Sequence, residues 1–171
     1  TLTLASVGGT ATLSADVDVT TLSVNDTVAN VVFTGGTNVF TNAVNFQNDG
    51  TLTFGDATGD SFTFNGGLNT SSVAGTVTLN TSISSSNDAI VFGAVTLGSN
   101  TIVDTNATDG AGDITIAAVT GGNNTLTLTT ENDIAGADIT ASGAIAGVTT
   151  LTLASVGGTA TLSADVDVTT L

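Results

Sequence analysis

The sequence predicts an all-β chain folded as a parallel β-solenoid, also called a β-helix. Three observations support that prediction: short alternating runs of strand-forming residues, turn-forming residues between the runs, and internal repetition. The chain has 171 residues, of which 21 are glycine, and it lacks proline, cysteine, lysine, arginine and histidine. Threonine and valine dominate the runs, and helix-forming residues other than leucine and alanine are scarce.

The longest repeat is an identity. Residues 1–22 recur without a change as residues 150–171. We therefore expect one full tandem unit of a continuous solenoid, residues 1–149, followed by the start of the next unit, residues 150–171. The chain begins without methionine and ends inside a repeat, so we expect it to be a window on a longer array.

A shorter period lies within the unit. The sequence Val-Thr-Leu at residues 77–79 recurs at residues 95–97, and residues 113–128 align with residues 138–153. Short strands with this spacing predict rungs that pair in parallel and bury their apolar faces only by stacking. At about 20 residues and ~4.8 Å per rung, the unit makes about seven or eight rungs and is roughly 35 Å long. We expect the copy at residues 150–171 to lie that far along the axis, facing nearly the same way as the original.

The alternating runs follow one another from the first residue. Thr1 to Leu4 places its leucines on one face of a strand, and residues 11–15 and 17–24 continue the alternation. Residues 31–64 contain six of the seven phenylalanines, which predicts a better-filled core there rather than an aromatic binding site. A tandem array of β-sandwich domains is the alternative fold, but no linker is visible around residues 146–151.

The charge limits the partners. With a net charge of −15 and no lysine or arginine, the chain lacks the side chains that neutralise the phosphates of nucleic acid or of anionic membranes. Membrane insertion is not expected, because the longest acid-free stretches are rich in threonine and glycine. The carboxylates are expected to be solvated, screened by salt or bridged by divalent cations.

One acidic stretch resembles a calcium-binding loop. Asp104, Asn106 and Asp109 precede Gly110, and Asp113 follows it, so the stretch offers the oxygen ligands that a hard cation prefers. The spacing contains one more residue than an EF-hand loop, and the distal glutamate of such a loop is absent. The alternative is a solvated turn. Asp56 and Asp60 form a weaker second candidate.

A catalytic site is not expected. Asp16 and Asp18, repeated as Asp165 and Asp167, share one strand face, and two carboxylates can serve as the acid and the base of a catalytic pair. Acids on an exposed strand more often discourage lateral aggregation. Without histidine, cysteine, lysine, arginine or tyrosine, no familiar nucleophile–base arrangement can form, so we predict neither catalytic residues nor a cofactor.

Threonine pairs offer a ligand-binding alternative. Thr-x-Thr units stacked on one flat face would resemble the surface of ice-binding solenoids, and outward threonines would also suit a glycan. The other interpretation is that threonine is simply a favoured outward residue of a strand. Pairs in register on one face would favour binding; scattered pairs would oppose it. The units begin at Thr1, Thr51, Thr76, Thr125 and Thr150.

The stretches FTFNGGLNTSSVAGTVTLN, NDAIVFGAVTLGSNT and GDITIAAVTGGNNTLTL resemble the giant β-strand-repeat surface proteins of bacteria. These are similar in style to filamentous-haemagglutinin-type and autotransporter-type adhesins. The resemblance implies a secreted or cell-surface solenoid that serves as a structural and adhesive fibre module. The expected partners are neighbouring repeats, or identical subunits stacked end to end, together with surface glycans or divalent cations.

Overall fold

A computed structural model of the chain describes residues 1–106, 112–130, 135–154 and 156–171. These residues form twenty strands and no helix. The strands are β1 (Leu2–Leu4), β2 (Thr10–Leu13), β3 (Asp18–Val19), β4 (Leu22–Val24), β5 (Asn30–Phe33), β6 (Thr37–Phe40), β7 (Val44–Asn45), β8 (Leu52–Phe54), β9 (Ser61–Phe64), β10 (Leu68–Asn69), β11 (Val77–Leu79), β12 (Ser82–Ser84), β13 (Ile90–Leu97), β14 (Thr101–Asp104), β15 (Ile114–Thr120), β16 (Thr125–Thr129), β17 (Ile139–Ala141), β18 (Ile145–Ala154), β19 (Ala160–Leu162) and β20 (Val166–Thr170).

The strands stack in three parallel columns, which we call faces A, B and C in the order in which the chain visits them. Face A contains the whole of β1, β4, β7, β10, β17 and β19, together with the first halves of β13 and β15. Face B contains β2, β5, β8, β11, the second half of β13 and of β15, and the first part of β18 and of β20. Face C contains β3, β6, β9, β12, β14, β16 and the ends of β18 and β20.

This arrangement confirms the predicted parallel β-solenoid. Between β1 and β19 the chain returns to face A seven times, so the molecule makes about seven turns. The length of a turn varies with its corners: a short turn pairs Val77 with Val95, and a longer one pairs Thr125 with Thr150. Both pairings are the ones that the short sequence period predicted.

Alternation along the strands builds a single continuous core. In β8, β11 and β16 every second side chain is buried, while the threonines between them lie on the outer surface. All seven phenylalanines are buried, which confirms that they fill the core. The rings of Phe33 and Phe54 stack at 5.8 Å on face B, and those of Phe40 and Phe64 at 4.7 Å on face C. Ring stacking between successive turns adds to the area that each ring buries.

Tight corners require glycine where two turns touch. An added Cβ at Gly75 would lie 2.6 Å from the carbonyl oxygen of Gly50, one turn below. The amide of Gly75 also donates a 3.0 Å hydrogen bond to that oxygen. A side chain here would therefore separate two backbones that the stack holds together.

The expected orientation of the second copy is wrong. Leu2 pairs with Leu22 on face A, whereas its equivalent, Leu151, pairs with Leu126 on face C. Before the copy begins, the chain forms twenty segments, each of which is a strand or part of a strand on one face. Because twenty is not a multiple of three, the copy does not begin on the face where the original begins. One sequence unit thus corresponds to six and two-thirds turns, and the copy lies on the neighbouring face.

Candidate functional site

The predicted calcium loop lies at a corner between faces C and A. Asp104 ends β14 on face C, and Asp113 directly precedes β15 on face A. The structure therefore brings Asp104, Asn106 and Asp113 to the two ends of one corner. Asp109 lies outside the described residues. Within the part of the chain that the structure describes, no three acidic, histidine or cysteine residues are grouped closely enough to hold a metal ion.

Two of these carboxylates accept hydrogen bonds from the backbone. An Asp104 oxygen accepts the amide of Asn106 at 2.7 Å, which is a local turn, and an Asp113 oxygen accepts the amide of Asp138 at 2.9 Å, one turn above. A calcium ion at this corner would depend on their remaining oxygens. Calcium binding stays a prediction for this loop.

A buried hydroxyl closes the base of the same loop. The Thr105 side chain is fully buried and donates to the Gly112 carbonyl at 2.6 Å. Ser85 makes the equivalent bond to Asp88 one turn below, and Thr130 makes it to Ala137 one turn above. Because the hydroxyl joins both ends of the corner, the number of residues between them can vary without disturbing the stack.

The second acidic corner is also used by the backbone. One oxygen of Asp60 accepts the amides of Asp56 and Ala57, at 2.9 and 3.1 Å. The backbone carbonyl of Asp60 accepts the hydroxyl of Thr81 on the following turn. The side chain of Asp60 therefore stabilises a tight turn within its own corner.

Several other acidic and amide side chains connect successive turns, a role that sequence reasoning missed. Asp16, Asn30 and Asn100 each accept the amide of the residue stacked above, at 2.9 Å. Asp138 does the same for Thr159 at 2.6 Å. The signal that could have identified them is their position at the first residue of a strand or one or two residues before it, combined with a partner one period later in the sequence.

The paired acids Asp16 and Asp18 are exposed on either side of the buried Val17. Asp16 bonds to the amide of Thr37, so one of the two carboxylates has a structural partner. The equivalent residues Asp165 and Asp167 are exposed as well. This geometry is that of an outer strand surface rather than of a cleft that encloses two carboxylates.

The Thr-x-Thr units are distributed over all three faces. Thr1 and Thr3 belong to face A, the units starting at Thr51 and Thr76 to face B, and those starting at Thr125 and Thr150 to face C. Two pairs of units are therefore stacked in register, but no single face collects all five. The distribution only partly matches what an ice-binding face requires.

Face B has the most regular outer row. Thr53, Thr78, Thr96 and Thr120 lie one above another on four successive turns, with Val32 below and Ala146 above. Alanine replaces the first threonine of the unit in the upper two turns, at Ala94 and Ala118. A shallow groove of about 430 Å³ lies beside Ala94 on this face, and its lining includes Thr76, Thr96 and Thr120. The groove contains hydroxyl and methyl groups and no charge.

Comparisons with known proteins identify no relative. No protein-family model, no curated protein and no solved structure matches the chain. Among the described residues there is also no helix long and apolar enough to cross a membrane.

Proposed function

We propose that the chain is a structural and adhesive repeat module of a secreted or cell-surface fibre, without catalytic activity. The observation that supports this proposal is the return of an identical segment, residues 150–171, within one uninterrupted stack. Each turn pairs with the turns above and below, so further units extend the rod without a linker. Length and stiffness are the properties that such a stack supplies.

The surface chemistry suits a fibre in water. Fifteen acidic residues and no basic side chain give every unit the same sign of charge, which opposes lateral association between rods. Neighbouring units of the same chain are the proposed partners along the axis. Divalent cations and glycans are the proposed partners on the surface, because carboxylates and hydroxyls are the groups presented there.

Immunogold electron microscopy on intact source cells tests this proposal. Antibodies raised against the folded chain should label thin fibres that project from the cell surface. Labelling confined to the cell interior would contradict the proposal. Latex beads coated with the chain should also stay attached to surfaces from which uncoated beads detach. Equal attachment of coated and uncoated beads would remove the adhesive part of the proposal.

Calcium at the corner from Asp104 to Asp113 is tested separately. Thermal unfolding of the chain in calcium and in chelator should differ, and the Asp113→Asn variant should lose that difference. Asp26→Asn, at an exposed corner far from the loop, is the matched control. An identical midpoint in calcium and in chelator would remove the calcium proposal and leave the fibre proposal intact.

The alternative function is binding of ice or a glycan by outward threonines. The four-turn threonine row on face B is the specific observation that favours it. Thermal hysteresis of the chain, compared with that of Thr78→Lys and Thr96→Lys, measures ice binding directly. Hysteresis in the original chain that both variants lose would support the alternative, and no hysteresis would exclude ice.

A further inference from the structure

The two identical segments fold locally in the same way. Leu-Thr-Leu at residues 2–4 is a strand, and the same residues at 151–153 belong to β18. The next strands also correspond, since residues 160–162 of β19 are the copy of residues 11–13 in β2. Even the length of the turn is preserved: Leu2 pairs with Leu22 in the first copy, and Thr150 pairs with Thr170 in the second.

The faces that the two segments occupy nevertheless differ. The first copy begins on face A and continues to faces B and C. The second begins on face C, where Thr127 lies opposite Thr152, and continues to face A, where Thr140 lies opposite Thr161. The same residues have moved back by one face, because a unit contains twenty face segments on a scaffold with three faces.

We propose that successive tandem units present their equivalent surfaces on successive faces, so that only every third unit points the same way. This inference rests on the proposed tandem array. Each unit adds six and two-thirds turns, or about 32 Å, and three units add twenty turns, or about 96 Å. The array thus has a structural period three times its sequence period.

The rotation defines the kind of interaction surface that the fibre presents. The uncharged threonine row of face B would lie on face A in the next unit and on face C in the one after. A partner that approaches from one side would meet that row only about every 96 Å. The array therefore suits contacts with partners on all sides, such as neighbouring surfaces in a matrix, and does not suit one long flat ligand face.

Disulfide trapping in the full chain tests the rotation, because the chain has no cysteine of its own. Outward residues that pair on adjacent turns lie about 4.8 Å apart, which a disulfide spans. The double variant Thr127→Cys/Thr152→Cys should therefore form an intramolecular disulfide under mild oxidation. Thr140→Cys/Thr152→Cys should not, since Thr140 lies on face A.

Thr3→Cys/Ser23→Cys, a pair within the first copy, is the positive control. Cross-linking of the Thr140 pair instead of the Thr127 pair would overturn the rotation, because it would place the copy on the same face as the original. Failure of both test pairs while the control cross-links would also overturn it. Neither of these results would contradict a fibre, which could still form from a stack with a whole number of turns per unit.

Discussion

Residues 1–22 and residues 150–171 have the same sequence but contact different parts of the solenoid. Leu22 is 3% exposed because the core surrounds it, whereas its copy, Leu171, is the last residue of the last described turn and is 77% exposed. The reverse holds for the first leucine of the segment: Leu2 is half-buried, and Leu151 is 1% exposed. The local sequence therefore determines where strands and corners form, while the turns stacked on either side determine how far each side chain is buried.

The largest difference between the copies is expected at their last leucine. Leu22→Ala should lower the free energy of unfolding by ~2–5 kcal/mol, because it leaves a cavity in the core. Leu171→Ala, the same change in the same local sequence, should alter it by less than about 0.5 kcal/mol. Denaturant titration of both variants measures the difference. Equal losses would show that burial in the two copies is the same.

A smaller difference is expected at a corner glycine. A Cβ at Gly158 would collide with the Asp138 carboxylate and lie 3.2 Å from the backbone of Ala137, whereas one at Gly9 meets no atom within 4 Å. Gly158→Ala should therefore cost about 1–3 kcal/mol, since the side chain of Asp138 would lose its bond to Thr159. Gly9→Ala should be close to neutral. Thermal unfolding of the two variants checks this, and a cost at Gly9 as large as at Gly158 would contradict the stacking.

The smallest difference is expected at the first paired acid. Asp16 accepts the amide of Thr37 on the turn above, whereas Asp165 lies in the last described turn, where its carboxylate accepts no hydrogen bond from the described residues. Asp16→Ala should cost about 1 kcal/mol or less, because the bond is exposed to solvent. Asp165→Ala should leave the midpoint of unfolding unchanged. Hydrogen exchange at the amide of Thr37 is the more sensitive measurement, and unchanged protection there in Asp16→Ala would remove the proposed bond.

The strands and the period of the turns could be predicted from the sequence. Alternating runs such as residues 125–129 place leucines inside and threonines outside, and the recurrence of residues 77–79 identified two strands that do pair. These features depend on neighbouring residues or on direct repetition. They are the part of the fold that local chemistry determines.

The face occupied by each segment could not be predicted. It depends on the number of corners in the whole unit, and corners differ in how clearly the sequence shows them. β13 and β15 each pass from face A to face B as one strand, whereas only Thr20 and Thr21 separate β3 from β4. One missed corner changes the face of every later segment, so the predicted orientation of the copy was wrong.

The buried hydroxyls at the corners between faces C and A were also missed, although the sequence contains a signal for them. In residues 125–130, TLTLTT, the two-residue period that places Leu126 and Leu128 inside also places Thr130 inside. The same alternation places Thr105 inside after Val103. A serine or threonine at an inward position just after a strand of face C thus indicates a corner closed by a hydroxyl.

The main expectation is that successive units continue one stack of turns without a linker. Chains of one, two and three consecutive units, compared by small-angle X-ray scattering, test it most directly. A continuous stack predicts that length grows by about 32 Å per unit while the cross-sectional radius stays constant. Scattering from a flexible chain of separate globules would contradict it. In that case the added length per unit would vary, and no constant cross-sectional radius would describe the particle.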